Sequence, residues 1–217
     1  MDSLAWIPSD SGASRIAYDP FDPALGGNVI GGDLRTFHPA LWFFLVSEFA
    51  VESVLDVGCG EGHCVRYFAD RGIPAVGFDG LRQNVEHSVS PIVLHDLRSG
   101  PFVLPVDLVH CCEVVEHLEE RFLPNLLTTL VNGRVIAMTH AVPGQGGHHH
   151  VNCQPAEYWI ERIEALGYSF LPEVTAHGRR LVEQTGQWTY FVASGLIFER
   201  LTATDSASIT TAPDGSK

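Results

Sequence analysis

The residues best suited to chemistry in this sequence are two carboxylates and an imidazole in the segment 113–117. Glu113, Glu116 and His117 stand at positions i, i+3 and i+4, which share one face if the segment is helical. Carboxylates and an imidazole that converge on one point suit a divalent cation, so the spacing predicts a metal site. The alternative is that the segment is a structural cap or one wall of a cofactor pocket.

A run of three histidines, His148-His149-His150, lies further along in a glycine-rich loop. Three consecutive histidines cannot all be core residues, so the run is either a solvated loop or a source of ligands. We predict that His150 completes the metal site; a hydrogen bond to the start of the following helix is the alternative. His140 ends an apolar run and is the predicted general base, with His149 as its substitute. A hydrogen bond within the strand-end turn is an equally good reading of His140.

The strongest ligand-binding signal is the apolar run 54–57, which leads directly into Gly58, Gly60 and Gly62. Glycines let the backbone turn tightly and let a ligand press against the main chain. The amide groups of such a loop, and the helix N-terminus that follows it, can receive a carboxylate or a phosphate. An ordinary glycine-rich turn is the alternative, because a lone glycine fingerprint is not specific.

Two aspartates stand in register with this loop. Asp79 closes the run 75–78, at the distance past the glycines where an acid can accept hydrogen bonds from both ribose hydroxyls. Asp96 closes the run 92–95, where an acid can bind an adenine amino group, because ligands of open α/β sheets lie beyond the carboxyl ends of the strands. Each could instead be a turn aspartate. The predicted cofactor-binding residues are Asp56, Gly58, Cys59, Gly60, Asp79, Gly80, Asp96, Leu97 and Cys112.

The elements that must position these residues follow a regular rhythm from Ser53 onward. Strands are predicted at 53–57, 75–78, 92–95, 108–112 and 134–139. Helices are predicted at 39–50, 62–71, 82–87, 118–131 and 155–166. Strands that alternate with helices imply right-handed βαβ units and a parallel sheet.

The end of the chain departs from this rhythm. The segments 169–175, 179–182 and 187–199 are predicted as consecutive strands joined by turns. We therefore predict an α/β, Rossmann-like, mostly parallel sheet with helices on both faces and an antiparallel C-terminal edge. Residues 1–38 are predicted as an irregular N-terminal arm or lid, 39–201 as the domain, and 202–217 as a disordered tail.

Composition excludes several classes of protein. The formal net charge is −13, from 13 Lys and Arg against 26 Asp and Glu, which disfavours nucleic acid and anionic membrane surfaces as partners. No apolar run approaches the roughly 20 residues that cross a bilayer, and no secretory signal is readable, so we expect a cytoplasmic protein. The five cysteines include no C-x-x-C pair, which indicates neither a disulfide framework nor a structural zinc site.

At this point the chain resembles the class I SAM-dependent methyltransferases. The resemblance covers residues 53–168, and its carriers are Leu55-Asp56-Val57-Gly58-Cys59-Gly60-Glu61-Gly62, Gly77-Phe78-Asp79, His95-Asp96-Leu97 and the segment 107–118. It implies that Gly58 and Gly60 contact the methionine part of SAM, Asp79 the ribose, and Asp96 with Leu97 the adenine. A dinucleotide-dependent oxidoreductase would space its glycines as Gly-x-Gly-x-x-Gly. Here Gly62 falls one place earlier, which favours SAM over NAD.

The Glu-x-x-Glu-His segment is similar to that of two metal-dependent subfamilies, the small-RNA 2′-O-methyltransferases and the ubiquinone-pathway O-methyltransferases. The resemblance implies Mg²⁺ or Mn²⁺ held by Glu113, Glu116, His117 and His150 beside an acceptor hydroxyl. The acidic balance disfavours the RNA-acting subfamily, so we expect a small-molecule acceptor such as a sugar, a glycan or a specialised metabolite. Metal-independent N- or C-methylation and a non-catalytic SAM-binding module stay open as alternatives. The oligomeric state is unreadable.

Overall fold

The computed structural model describes residues 15–202; the predicted tail from residue 203 onward and the first 14 residues of the predicted arm lie outside this range. Its strands are β1 (Ile16–Tyr18), β2 (Gly27–Val29), β3 (Val54–Val57), β4 (Ala75–Asp79), β5 (Val93–Leu94), β6 (Val106–Cys111), β7 (Gly133–Met138), β8 (Tyr168–Phe170) and β9 (Leu196–Arg200). Its α-helices are α1 (Pro39–Phe49), α2 (His63–Ala69), α3 (Arg82–Glu86), α4 (Leu123–Leu130), α5 (Ala156–Glu164), α6 (Pro172–Glu183) and α7 (Tyr190–Ser194).

The seven strands of the main sheet are arranged in the order β5-β4-β3-β6-β7-β9-β8. The five strands β5 to β7 in this order are parallel, and β9 runs antiparallel to both of its neighbours, β7 and β8. The chain moves outward from β3 to β4 and β5, and then returns to place β6 on the other side of β3. This reversal opens a crevice beyond the carboxyl ends of β3 and β6, the usual ligand position in such sheets.

Alternate residues of the central strands enter two separate hydrophobic layers. Leu55 and Val57 pack on one face with α4 and α5, whereas Val54 packs on the other face with α1, α2, α6 and α7. Side chains of a strand point alternately to the two faces, so strands covered on both sides are apolar throughout. The predicted α/β class, with helices on both faces of a mostly parallel sheet, is confirmed.

Three sequence-based assignments are wrong. The predicted strand 179–182 lies inside α6, and the predicted strand 169–175 covers only the end of β8 before α6 begins at Pro172. The predicted strand 187–199 contains α7 before β9. The overlooked signal is a proline at the first turn of α6, followed by Thr175, Gly178 and Val182 at helical spacing, and these three residues are buried.

The segment before α1 contains more regular structure than an irregular arm. Strands β1 and β2 pair as a small antiparallel hairpin, which packs toward the carboxyl edge of the main sheet. The Asn28 amide donates to Asn84 Oδ1 at 3.3 Å, and the Gly31 N–H donates to Glu61 Oε1 at 2.9 Å. The hairpin therefore covers the loop that follows β3. No helix within residues 15–202 combines the length and hydropathy of a bilayer span.

Candidate active site

A cleft of about 1530 Å³ lies at the carboxyl edge of the sheet, between the hairpin segment and the ends of β3, β4 and β6. Sites for one small ligand usually enclose about 300–1,000 Å³, so this cleft has room for two molecules side by side. The glycine loop and the ends of β4 and β5 line one part of it. The residues that line the other part come from the segment after β6, the histidine loop and the region before β9: Cys112, Glu113, Val114, His117, Leu118, His148, His150, Trp188 and Tyr190. Glu116 lies behind this wall, with no exposed surface.

The glycine loop 58–62 has a backbone that only glycine adopts without strain. Gly58, Gly60 and Gly62 have φ values of +61°, +54° and +80°. A Cβ atom on Gly58 would lie 2.4 Å from Val114 Cγ2, and one on Gly60 would lie 2.8 Å from the amide nitrogen of Asn28. Cys59, between the first two, donates its backbone N–H to Phe78 O at 3.0 Å. Both conformation and space therefore require glycine here, as the sequence predicts for a ligand cradle.

Asp79 ends β4 and faces the glycine loop. Its Oδ2 accepts from Gly60 N at 2.9 Å, and its Oδ1 accepts from Leu81 N at 2.8 Å and Asn84 Nδ2 at 3.0 Å. Burial raises the pKa of Asp79 to about 6, against the lowering effect of these hydrogen bonds. A carboxylate has about four acceptor positions, so about one remains on Oδ2 for a ribose hydroxyl. A second hydroxyl would have to displace Asn84.

Asp96 is held by a side chain that sequence analysis did not single out. Both Asp96 oxygens accept from Arg98 Nε, at 3.0 and 2.9 Å, and the same guanidinium binds Asp22 at 2.6–2.8 Å. The two ion pairs raise the pKa of Arg98 and lower that of Asp22. Arg98 thus links Asp96, at the edge of the sheet, to Asp22 in the hairpin segment. An adenine that binds the Asp96 carboxylate must share it with Arg98.

The other predicted cofactor contacts lie around the same cleft. Leu97 is buried and its carbonyl accepts from Asn125 Nδ2 at 2.7 Å; a Cβ on Gly80 would lie 3.1 Å from Leu25. Asp56 lies within β3, where its Oδ1 is 2.6 Å from His110 Nδ1 on the neighbouring strand. Cys112 is buried, and burial raises the pKa of its thiol. All nine predicted residues line the cleft.

Glu113 departs from the predicted helical face. Its φ is +55°, a left-handed conformation that is rare for a residue with a Cβ, and the helical turn begins only at Val115. Thr139 holds this turn: its hydroxyl accepts from Glu113 N at 2.8 Å and donates to Glu113 Oε1 at 2.9 Å. Glu113, Glu116 and His117 therefore do not form one regular face, although Glu113 still lines the cleft.

Glu116, His117 and His150 are brought together by the histidine loop. The backbone N–H groups of Val151 and Asn152 donate to Glu116 O at 2.9 and 3.0 Å, which anchors the loop on the segment 115–117. The rings of His117 and His150 meet edge to face at 5.0 Å between centroids. One donor atom from each of Glu116, His117 and His150 lies within 4.8 Å of the others. Three of the four predicted metal ligands thus form one cluster.

Buried atoms in this cluster are unsatisfied. Glu116 has no exposed surface, and neither of its carboxylate oxygens accepts a hydrogen bond of good geometry within residues 15–202; the backbone N–H groups of Glu116 and Ala141 lie near enough only to offset part of the rise in its pKa. His117 Nδ1 also has no hydrogen-bond partner in this range. Burial, and secondarily the charge of Glu113, raises the pKa of Glu116 well above its usual range, and burial also raises that of Glu113. Burial lowers the pKa of His117 to about 4, which leaves a neutral imidazole at physiological pH.

Of the two predicted general bases, His149 adjoins this cluster through its neighbour His150, whereas His140 is not part of it. His140 is buried; its N–H donates to Ser194 Oγ at 3.2 Å, and its Nδ1 lies 3.4 Å from Ala141 O. His149 has a φ of +52°, and its Nε2 is buried without a partner in the described part of the chain. Neither residue is among those of 15–202 that line the cleft. A catalytic role for them stays a prediction.

Sequence analysis missed the aromatic wall of the cleft. Trp188 is 59% exposed, and Arg35 lies 5.9 Å from the centroids of both the Trp188 and Tyr190 rings. The Tyr190 hydroxyl is 3.4 Å from Arg35 Nη1 and donates to Asp33 Oδ2 at 3.4 Å. The available signal was a tryptophan two residues after the turn-forming pair Thr185-Gly186, but the segment that holds it was assigned to a strand.

Comparison with known proteins gives this geometry a family. Residues 33–173 match a family model described as the methyltransferase domain. The ubiquinone biosynthesis O-methyltransferase of Rickettsia typhi is 31% identical over 98 residues, which cover 40% of this chain and only 40% of that relative. Among solved structures, a SAM dependent methyltransferase from Archaeoglobus fulgidus superposes with a TM-score of 0.54 at 18% identity, over 83% of this chain and 98% of that one.

Two further structures share the fold at low identity. The plantazolicin methyltransferase BpumL, solved in complex with SAH, gives a TM-score of 0.53 at 12% identity over 83% of this chain and 86% of that chain. The cyclase SpnF gives 0.51 at 16% identity over 76% and 82%. The family model covers most of the described domain, including the glycine loop and the Glu-x-x-Glu-His segment. This chain therefore belongs to the methyltransferase-domain family and has the Rossmann-like fold of the SAM-dependent methyltransferases.

Proposed function

We propose that this chain is an enzyme that transfers the methyl group of SAM to an oxygen of a small hydroxylated acceptor, with the assistance of Mg²⁺ or Mn²⁺. A sugar, a glycan or a specialised metabolite is the proposed acceptor class. The observation that carries the proposal is the buried Glu116 carboxylate, which accepts no hydrogen bond of good geometry among the described residues and adjoins His117 and His150. Since fold alone does not fix a reaction, as the cyclase SpnF illustrates, the proposal rests on this site.

The residues of the glycine-loop end fit SAM. A Cβ atom on Gly58 or Gly60 would clash with neighbouring side chains, so only glycine leaves the loop backbone accessible to a ligand. Asp79 retains about one free acceptor position. When bound there, SAM supplies an electrophilic methyl group on a sulfonium. Asp79 and the loop would hold the nucleoside and methionine parts, so that the reacting carbon is oriented toward the part of the cleft lined by Glu113.

The acidic end fits a hard divalent cation. Glu116 and Glu113 would supply carboxylate oxygens, and His117 and His150 would supply neutral imidazoles, a mixed set that suits Mg²⁺ less well than Mn²⁺. A cation at this point would lower the pKa of an acceptor hydroxyl and hold its oxygen in place. A cation there would also favour the charged forms of Glu113 and Glu116, whose pKa values burial raises.

The acceptor end of the cleft suits a small molecule. Trp188 and Tyr190 offer ring faces at the cleft, and the net charge of −13 repels a polyanion. The relative from Rickettsia typhi, an O-methyltransferase by name, supports oxygen as the acceptor atom. Metal-independent methylation of nitrogen or carbon, and SAM binding without catalysis, are the competing functions.

Chelation separates these functions. We expect EDTA to suppress the formation of S-adenosylhomocysteine with a panel of phenols and sugars, and Mg²⁺ or Mn²⁺ to restore it. Glu116→Gln keeps the shape of the side chain but removes its charge, and we expect a loss of about 100-fold or more in turnover. Glu120→Gln, in the exposed turn that follows, is the matched control. Calorimetric binding of S-adenosylhomocysteine to Glu116→Gln checks that the fold is intact.

Three outcomes would contradict the proposal. Full turnover in EDTA would show that the reaction needs no metal. Turnover with amines but not with hydroxyl compounds would show that nitrogen is the methyl acceptor. Tight binding of S-adenosylhomocysteine without turnover of any acceptor would favour a binding module.

A further inference from the structure

A second group of possible metal ligands shares no residue with the Glu116 cluster. One donor atom from each of His38, His110 and Cys112 lies within 4.8 Å of the others, and all three residues are at least nine-tenths buried. His38 precedes α1. His110 lies in β6 and Cys112 follows directly after its last residue, so their two-residue spacing favours the same face. Their separation in the sequence explains why no C-x-x-C or His-x-x-His spacing marks the group.

His110 is oriented by a carboxylate. Asp56 and His110 are directly opposite each other in the register of β3 and β6, and Asp56 Oδ1 lies 2.6 Å from His110 Nδ1. A carboxylate on one ring nitrogen fixes the tautomer in which the other nitrogen carries the lone pair, and this arrangement accompanies metal-binding histidines as a rule. Asp56 and His110 both line the cleft, although His110 is only 3% exposed.

His38 shows the same arrangement with a carbonyl in place of the carboxylate. Its Nε2 lies 2.9 Å from Arg35 O and donates to it, and its Nδ1 is buried with no partner within residues 15–202. His38 is 1% exposed, and burial together with the charge of His110 lowers its pKa to about 3, so the ring is neutral. An unpaired ring nitrogen in such a place is costly unless something binds it.

We propose that His38, His110 and Cys112 bind one zinc ion beside the cleft, at a site separate from the proposed Mg²⁺ or Mn²⁺ site. A thiolate with two imidazoles selects zinc over hard cations, which prefer oxygen ligands. Donor atoms on tetrahedral zinc lie roughly 3.3–3.8 Å apart for bond lengths of about 2.0–2.3 Å, so inward rotations of about 1 Å complete the site. His110 and Cys112 line the cleft, which leaves the fourth position for water or a heteroatom of a bound molecule.

The site makes a spectroscopic prediction that does not depend on methyl transfer. The full chain, prepared without a histidine tag, should retain about one zinc per chain by mass spectrometry after brief dialysis against EDTA. Exchange of zinc for Co²⁺ should produce an intense near-ultraviolet absorption from the thiolate–cobalt bond. We expect Cys112→Ser, and independently His38→Gln, to abolish this band and to reduce bound metal at least tenfold.

Matched variants locate the metal. Cys153→Ser removes a thiol that lies beside the histidine loop, 3.8 Å from His150, and Glu116→Gln alters the other proposed site; both should retain the zinc and the cobalt band. Circular dichroism and thermal melting confirm that each variant is folded. The proposal is overturned if the folded protein holds no stoichiometric zinc, or if the band persists in Cys112→Ser. It is equally overturned if Cys64→Ser removes the band while Cys112→Ser retains it, because Asp56, Cys64 and His110 would then be the ligands.

Discussion

Asp79, the proposed ribose ligand, is expected to weaken the fold at neutral pH. Burial raises its pKa from 3.8 to about 6, and since one pKa unit is worth about 1.4 kcal/mol, ionised Asp79 costs roughly 3 kcal/mol. The folded protein binds more protons at this group than the unfolded chain does. Its contribution to stability is therefore greatest below about pH 4 and is lost as the pH rises through about 6.

Asp79→Asn removes this titration and keeps the side-chain shape. When the pH rises from about 5 to about 7.5, the ionisation of Asp79 should lower the unfolding free energy of the wild type by about 1.4 kcal/mol. The variant should not show this decrease. Guanidinium denaturation of both proteins without ligand, at the two pH values, measures this difference. The comparison of variant with wild type cancels the contributions of Glu113 and Glu116, whose raised pKa values act in the same direction.

Two further measurements test the reasoning about Asp79. Calorimetry should show weaker SAM binding by Asp79→Asn, because the amide retains only one acceptor oxygen for both Gly60 N and the ribose. Asp70→Asn, whose carboxylate is 48% exposed in a surface ion pair with Arg66, is the matched control for charge removal. Parallel pH dependences of stability for the wild type and Asp79→Asn would refute the claim that burial dominates this carboxyl group.

Three other substitutions probe the rest of the cleft. Gly60→Ala should lower SAM affinity and destabilise the fold by about 1 kcal/mol or more. Gly144→Ala is the control for backbone strain alone, because its φ is +85° and an added Cβ would meet no atom of residues 15–202 within 4 Å. Calorimetry measures the SAM affinity of both variants, and denaturation measures their stability. Arg98→Ala should release Asp22 and speed proteolytic cleavage of the hairpin segment, a change that high salt should reproduce in the wild type. Trp188→Ala should raise the KM for the acceptor several-fold with little change in melting temperature, because the ring is 59% exposed; an unchanged KM would exclude it from the acceptor site.

The parallel part of the sheet could be predicted from sequence because its central strands are mostly apolar and alternate with helical segments, although the edge strand β5 is exposed. The glycine loop and Asp79 could be predicted because the features that define them are local: φ values that need glycine and an acid at the end of the next strand. The C-terminal region could not, since amphipathic segments such as α6 carry β-branched residues that mimic strand patterns.

The candidate site was predicted in its composition but not in its geometry. His150 meets Glu116 and His117 because backbone hydrogen bonds anchor its loop, whereas the left-handed backbone at Glu113 breaks the face expected of a helix. The Asp56–His110 pair depends on strand register, to which residues 54 positions apart give no local clue. The hydrophobic periodicity of the sequence also cannot predict that an exposed ring such as Trp188 lines the cleft.

The position of β9 between β7 and β8 has a consequence for the order in which the enzyme is assembled. As the chain is synthesised, β8 emerges before the strand that must separate it from β7, so that side of the sheet has to wait for residues 196–200. Strands β3, β4 and β6, which carry the nucleoside-binding loop, can pair before this. Helix α7, directly before β9, contributes Tyr190 to the aromatic wall of the cleft, so a nascent chain can form the glycine-loop part of the cleft well before this wall is complete.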